Sequence, residues 1–252
     1  MSEPGAAELD VVIPVYNEGA SIVRVLESLR RSVRTPFRVL ICYDHDDDDT
    51  LIALRDYRVD GFQLRVLKNR GRGALDAVVQ GLQESSAPAV VVFPADDDYN
   101  GPCLDRMMAK FREGCEIVVA SRFAPGGCMV GAPWLKAALI RTSAFLLHYL
   151  ARLPTRDPSN GFRLFSQRVL ETIPIESSVG FAYSIELLVK CHRLRWSIGE
   201  VPVAWHPRQS GQSRFQILAW LPQYLVWFRY AFATTFLERG PETVRVRERV
   251  IL

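Results

Sequence analysis

Unbroken apolar runs recur along the first hundred residues, and segments with apolar positions at helical spacing separate them. Leu9 to Tyr16 (LDVVIPVY), Phe37 to Tyr43, Phe62 to Leu67 and Ala89 to Ala95 read as strands. Runs of Val, Ile and Leu without polar alternation belong to strands buried on both faces of a parallel sheet. Pro14 suits the end of the first strand better than its middle. Between the strands, Ser21 to Val33 carries Ile22, Val25, Leu26 and Leu29 at helical spacing. Thr50 to Tyr57 and Ala74 to Glu84 read as further helices. The order βαβαβαβ predicts an α/β fold with a mostly parallel, doubly wound sheet flanked by helices.

Three of these strands end in polar loops that fall on one edge of such a sheet. The second runs into Asp44-His45-Asp46-Asp47-Asp48-Asp49, the third into Asn69-Arg70-Gly71-Arg72-Gly73, and the fourth into Asp96, Asp97 and Asp98. Open α/β sheets bind ligands at this edge. Three adjacent carboxylates repel one another unless a cation sits among them. Hard oxygen ligands suit Mg²⁺ or Mn²⁺, which favour phosphate-bearing partners. A solvated acidic turn is the plain alternative, and Asp46 to Asp49 also suit an ordinary helix start. The glycine turn lacks the Gly-Lys-Ser/Thr ending of a P-loop, and no GxGxxG follows the first strand, which argues against a redox dinucleotide.

Composition narrows the class. The 252 residues are 48% hydrophobic and 23% charged, as in a globular protein with a substantial core. A net charge of +3 gives no argument for nucleic acid. Five scattered cysteines without a CxxC pair read as a reduced complement rather than a disulfide framework or zinc site. Met1 to Leu9 is short, acidic and mixed, unlike a signal peptide.

Several motifs taken together resemble one family. VVIPVYNE (Val11 to Glu18) is similar to the opening of family 2 glycosyltransferases, which have the GT-A fold. NRGRGALDAVVQG resembles the NxGxGxA turn and helix of the branch holding dolichyl-phosphate mannose synthase and other polyprenyl-phosphate glycosyltransferases. ASRFAPGG (Ala120 to Gly127), DPSNGFRLFS (Asp157 to Ser166) and the late IGEVPVAWHPRQSGQSRF also have counterparts there. The resemblance covers about Leu9 to Phe215. It departs from the family where DAD is usual, since Pro94-Ala95-Asp96-Asp97-Asp98 stands here, and where Tyr43-Asp44 replaces Asp-Asp.

The resemblance implies transfer of a sugar from a GDP- or UDP-linked donor to a phosphate. Asp96 and Asp98 would hold Mg²⁺ or Mn²⁺, with Asp96 also facing the nucleotide. Pro14, Tyr16, Glu18 and Asp44 would line the base and ribose pocket, and Arg72 would reach the nucleotide. Arg122, Arg163, Arg208 and Arg214 are candidate phosphate ligands, because guanidinium groups grip phosphates bidentately. Arg208 and Arg214 flank Gly211-Gln212-Ser213, which resembles the family's loop over the diphosphate. Asp157 precedes a Pro-Ser-Asn-Gly turn expected to expose its carboxylate towards the acceptor. A phosphate acceptor is already anionic near neutral pH, its second pKa being about 6, so Asp157 would position rather than deprotonate. Glu186 and Glu200 read as structural partners of arginines.

Two long apolar segments bear on the acceptor. Trp134 to Leu153 is helical, but Lys136, Arg141 and His148 interrupt it. Phe215 to Phe236 carries Arg229 as its only charge, with Pro222 inside and Trp220, Tyr224 and Trp227 mid-segment. That arrangement reads as an interfacial helix, the alternatives being a packed or dimerising helix and a true span. Residues 1–214 are expected to form the GT-A domain, and 215–252 an apolar helix with a charged, mobile tail from Glu238. The expected protein is a cytoplasmic, peripherally membrane-associated enzyme that glycosylates a polyprenyl phosphate, with a homo-oligomer as one option and without nucleic acid as partner. The alternatives are a GT-A enzyme with a saccharide or other hydroxyl acceptor, and a non-catalytic nucleotide-sugar-binding protein.

Overall fold

The computed structural model describes residues 6–207 and 217–247. The first four strands form as the apolar runs require: β1 Leu9–Pro14, β2 Phe37–Tyr43, β3 Gln63–Lys68 and β4 Ala89–Val92. Between them lie α1 Ile22–Ser32, α2 Asp49–Arg55 and α3 Gly73–Glu84. Then follow α4 Cys103–Arg112, β5 Ile117–Ser121, β6 Cys128–Met129 and α5 Trp134–Phe145, which runs into a π-helical turn at Leu146–Leu150. The chain continues as β7 Arg163–Ser166, α6 Gln167–Thr172, α7 Ala182–Arg193, β8 Ile198–Pro202, β9 Ala204–Trp205 and α8 Ile217–Phe236.

The seven-stranded sheet has the order β3-β2-β1-β4-β7-β5-β8. Its pairs are parallel except where β7 runs antiparallel between β4 and β5. The expected mostly parallel sheet is therefore present, with one inserted reverse strand. That strand is only four residues, RLFS, and wholly buried, so it has no alternation by which to announce itself. β3 at the edge is largely exposed and carries Arg65 and Lys68, charges that discourage pairing with another chain.

Alternate residues of β1 serve opposite cores. Leu9, Val11 and Ile13 pack with Ile22, Val25, Leu26 and Leu29 of α1 and with Leu104 and Met107 of α4. Val12 faces the other way, towards Leu75, Val78 and Leu82 of α3, and that second core extends to α7 and to Trp227 and Ala231 of α8. Glycine permits α3 to pack closely on the sheet: a Cβ on Gly81 would lie 2.4 Å from Val12 Cγ1 and 2.9 Å from Cys42 Sγ.

At the opposite edge from the acid loops, Asp10 is fully buried on β1. Its oxygens accept from Arg38 Nε at 2.9 Å and Nη2 at 2.7 Å, and also from the backbone N–H groups of Ser86 and Ala87. A buried carboxylate needs such full pairing, and here it fixes the entry of β4 beside β1. The chain moves outward from β1 through β2 to β3, then returns to place β4 on the other side. The crevice between the ends of β1 and β4 is thus a topological switch point, where open α/β sheets take their ligands.

The two late apolar helices differ from a membrane span. Among the described residues no helix is long and apolar enough to cross a membrane. α5 and its π-helical turn bury only Ala137, Ala144 and Leu147, while Trp134, Leu135, Leu139, Phe145 and Tyr149 are exposed. α8 lies on that turn, with Thr235 Oγ1 donating to Ala151 O at 2.7 Å. The tail expected to be mobile is held as far as Arg247. Val244 is buried, Arg245 pairs with Glu176 at 3.2 Å, and Arg247 N–H donates to Thr172 O. Apolar and charged contacts alternate there too closely for a pattern to show.

Candidate active site

At the switch point, the loop after β1 and the loop after β4 form two walls of one pocket. Glu18, Ser21 and Arg24 line the first, and Pro94 with Asp96 to Tyr99 the second. Ala204 to Pro207, at and after β9, close the third side. Asn17, at φ 55°, turns the chain sharply at the end of β1. Its N–H donates to both oxygens of Asp48, each at 3.1 Å.

The expected acids divide by task. Asp98 accepts from Arg24 Nε at 3.2 Å, and both remain partly exposed in the pocket. Asp96 lines the same space. Asp97 instead turns to the loop itself, accepting from the N–H groups of Tyr99 and Asn100 and from Asn100 Nδ2. Burial raises its pKa above the ordinary carboxylate value, an effect that the three hydrogen bonds oppose only in part. Asp96 and Asp98 are hard oxygen donors at one loop, a chemistry that fits Mg²⁺ or Mn²⁺. Among the described residues no three acidic, His or Cys side chains already form a closed ligand cluster. A cation held there would complete its shell with donor oxygens or water, as Mg²⁺ commonly does.

Beside this pocket lies a second one, lined by Tyr16, Asn17, His45, Asp47 and Asp48. Tyr16 and His45 meet edge to face with centroids 6.0 Å apart. Asp48, expected among solvated acids, is buried. It caps α2 through Thr50 N–H at 2.9 Å while holding Asn17. Asp44 is tied to the glycine turn, accepting from Asn69 Nδ2 and Gly73 N–H, each at 2.7 Å. Gly73 stands at φ 84°, which its lack of a side chain allows. Arg72 is exposed on this turn, and Pro14 ends β1 below Tyr16.

On the far side of β4 the acceptor-side expectations meet. β5 is parallel to β4 and two strand spacings from it, about 10 Å. Arg122, just beyond β5, and Arg163, first residue of β7, therefore sit on the same sheet edge as the acids. Here two expectations need correction. Asp157 is fully buried, not exposed by its turn, because Arg122 closes over it. Arg163 is also fully buried, and spends its guanidinium on backbone carbonyls, donating to Ser184 O, Pro158 O and Asn160 O. Burial without a carboxylate partner pulls its pKa down to about 10. It shapes the Asp157 turn and is shielded from any substrate phosphate. Glu200 pairs with Arg156 as expected, whereas Glu186 pairs with Lys190 and two backbone N–H groups rather than with an arginine. Arg208 and Arg214 lie outside the described residues.

The fold brings in residues that the sequence alone did not single out. Arg24 reaches the pocket because it lies one turn into α1, directly after the Glu18 loop. His206 lines the pocket and meets Tyr99 at 5.2 Å between ring centroids. Its signal was present in the AWHPR motif, but only the path of β9 carries it across to the acids.

Known proteins share this architecture. The fold resembles glucosyl-3-phosphoglycerate synthase from Mycobacterium tuberculosis, solved in complex with Mn²⁺, UDP and glucosyl-3-phosphoglycerate. The TM-score is 0.63 at 19% identity, over 93% of this chain and 80% of that one. The same synthase bound to phosphoglyceric acid gives a TM-score of 0.69 at 17% identity, over 90% of this chain and 81% of that one. In sequence, the chain is 23% identical over 214 residues to dolichol-phosphate mannosyltransferase of Pyrococcus furiosus. That match spans 83% of this chain but 59% of the longer relative. It is 24% identical to polyprenol monophosphomannose synthase of Mycolicibacterium smegmatis, over 81% of this chain and 79% of the relative. The profile of glycosyl transferase family 2 matches residues 10–174, which hold the pocket loops after β1 and β4, Arg122 and Asp157. The chain therefore belongs to glycosyl transferase family 2 and is a glycosyltransferase of the GT-A fold.

Proposed function

We propose that this enzyme transfers a sugar from a nucleoside-diphosphate sugar to a polyprenyl phosphate at a membrane surface. The observation that carries the reading is one of placement. An acid-lined pocket at the sheet's switch point shares the molecule with two helices whose exposed faces are apolar. The relatives' names, dolichol-phosphate mannosyltransferase and polyprenol monophosphomannose synthase, support the lipid acceptor.

In this reading Tyr16 and Pro14 meet the base and ribose, with Glu18 at the pocket edge. Asp44 acts by holding the Gly71–Gly73 turn, from which Arg72 reaches the nucleotide. Asp96 and Asp98 hold the divalent cation. When bound, Mg²⁺ or Mn²⁺ supplies Lewis-acid stabilisation of the departing diphosphate. Arg208 and Arg214 are assigned to the same diphosphate on family resemblance. Positive groups aimed at developing charge are the main means of catalysis when the leaving group is an anion.

Arg122 is assigned to the acceptor phosphate on family resemblance, and because Asp157 already holds its Nε and Nη2, a phosphate would have to share or displace that pairing. Both Asp157 oxygens are occupied by Arg122, which leaves the carboxylate poorly placed to take a proton. An anionic acceptor requires no strong base, so this pairing favours a phosphate over a sugar hydroxyl. Residues 1–214 form the catalytic unit. In this reading α8 supplies the membrane-facing helix, and the segment after it is held to the body as far as Arg247. The enzyme would work as a peripheral protein on the cytoplasmic face.

The test is incorporation of radiolabelled sugar by purified protein with Mn²⁺, supplied separately with GDP- and UDP-linked donors. Label should enter the organic phase only when a polyprenyl phosphate is present. Transfer to a water-soluble saccharide or phosphorylated acceptor instead would reject the lipid.

A further inference from the structure

Among the described residues, one edge of β9 faces a strand, β6. On that edge the carbonyls of Val203 and Trp205 accept from Cys128 N–H at 3.1 Å and Val130 N–H at 2.9 Å. The N–H and C=O of the intervening Ala204 point the other way, as strand alternation requires. There they meet a side chain in place of a strand. Asn100 Nδ2 donates to Ala204 O at 2.7 Å, and Asn100 Oδ1 accepts from Ala204 N–H at 3.2 Å. The second Nδ2 hydrogen goes to Asp97 Oδ2 at 2.7 Å, while Asn100 N–H donates to Asp97 Oδ1 at 2.9 Å.

Asn100 is 9% exposed, and both of its amide hydrogens are used. The amide orientation is fixed by its partners, because reversing it would set its oxygen against a carboxylate and a carbonyl. No other common side chain of this length gives two donors and an acceptor in one plane. An aspartate here would face both Asp97 and Ala204 O with negative charge. One buried amide thus joins the acid loop to the segment that carries Trp205 and His206.

We propose that Asn100 is a positioning residue for the divalent-cation site, setting Asp96 and Asp98 against the 204–207 wall through Asp97 and Ala204. The inference rests on the proposed cation role of Asp96 and Asp98, and it assigns to Asn100 the spacing between the pocket's two walls. Partners one shell out from metal ligands commonly change affinity by about 10–100-fold when removed.

Mn²⁺ affinity is to be measured by electron paramagnetic resonance, with UDP and with GDP in excess, alongside thermal midpoints. Asn100→Ala should weaken Mn²⁺ binding about tenfold, the lower end of that range. Asn100→Asp should weaken it at least as much, although it preserves shape. Should Asn100→Ala fold poorly, Asp97→Asn gives a second readout, since it opposes two amides without changing volume. It should also weaken Mn²⁺. Affinity within twofold of wild type in these variants, with only the thermal midpoint lowered, would make Asn100 a packing residue and overturn the inference. Asp96→Asn separates the two levels. Mn²⁺ binding that survives it, or is absent from wild type, rejects the cation site and the Asn100 role together. Binding lost in Asp96→Asn but unchanged in the Asn100 variants rejects the Asn100 role alone.

Discussion

Arg122 and Asp157 close on each other as a two-pronged buried pair. Nε and Nη2 of the arginine donate to the two carboxylate oxygens at 2.7 Å each, and Arg122 N–H adds a third bond at 2.9 Å. The pair is 8% and 0% exposed, so neither charge is met by bulk water. Asp157→Asn would leave a buried guanidinium without its counter-charge. Breaking such pairs from one side costs about 3–5 kcal/mol. The variant should therefore lose stability by roughly 3 kcal/mol in denaturant unfolding, and kcat should fall with it. The pH profile of the remaining activity should keep its acid limb. Loss of that limb with stability unchanged would instead make Asp157 a base.

The cation site gives a second expectation. Asp96 and Asp98 are partly exposed on the pocket loop, and an acid-to-amide change there keeps the side chain's volume. Asp96→Asn should remain folded yet lose metal-dependent nucleotide binding in calorimetry. Identical nucleotide affinity with and without EDTA in the wild type would sink the assignment.

Much of this was readable in the sequence, and the reasons are physical. Parallel strands buried on both faces leave unbroken apolar runs, so β1, β2 and β4 and the polar loops after them could be located. The Glu18 and Asp96–Asp98 loops meet because parallel strands put their ends on one edge. What stayed hidden depends on contacts across long separations. Asp157 looked exposed because Pro-Ser-Asn-Gly turns usually lie at a surface. Its burial comes from Arg122, 35 residues earlier. Arg163 carried the right chemistry for a phosphate, but its position on the buried reverse strand commits it to carbonyls. His206 reached the pocket only through β9 and Asn100.

Gly81 tests the close packing of α3 on the sheet. A methyl group there would overlap Val12 and Cys42, both buried and unable to retreat. The gain in helix propensity from Gly to Ala, about 1 kcal/mol, opposes overpacking that typically costs about 1–3 kcal/mol. Overpacking should prevail. Gly81→Ala should lower the unfolding midpoint, and a raised midpoint would show that α3 can shift from the sheet.

The tail should respond to acid. Burial pushes the Glu176 carboxyl up, but the Lys190 ammonium and then Arg245 outweigh it, leaving its pKa below the ordinary 4.5. A depressed carboxylate contributes stability above the unfolded value, and that contribution is lost as pH falls through the folded value. Glu176→Gln should thus be less stable than wild type at pH 7, with the difference shrinking as pH falls below 4.5 through the depressed folded value. Hydrogen exchange, corrected for intrinsic rates, should show residues 241–247 losing protection over the same range. A stability difference undiminished by acidification through that range would place the effect in packing rather than charge.

The membrane reading makes the sharpest demand on α8. Leu225 and Val226 are 50% and 51% exposed, and Leu221 lies one turn earlier on the same side as Leu225. Trp227 and Ala231, by contrast, are buried against the body, so the helix already has a packed face and a free one. The free face gains nothing from water. Transfer of one such aliphatic side chain from water yields about 1.5–3 kcal/mol. Leu225→Asp combined with Val226→Asp should leave the fold intact, because neither side chain is in the core. It should weaken co-flotation with liposomes by tenfold or more, as two lost insertions imply. Transfer to a short, water-soluble prenyl phosphate should remain near the wild-type rate, since neither residue lines the acid pocket. Undiminished flotation of this variant would remove α8 from the membrane contact and leave the exposed face of α5 to account for it. Failure of the wild type itself to float would reject the lipid surface altogether.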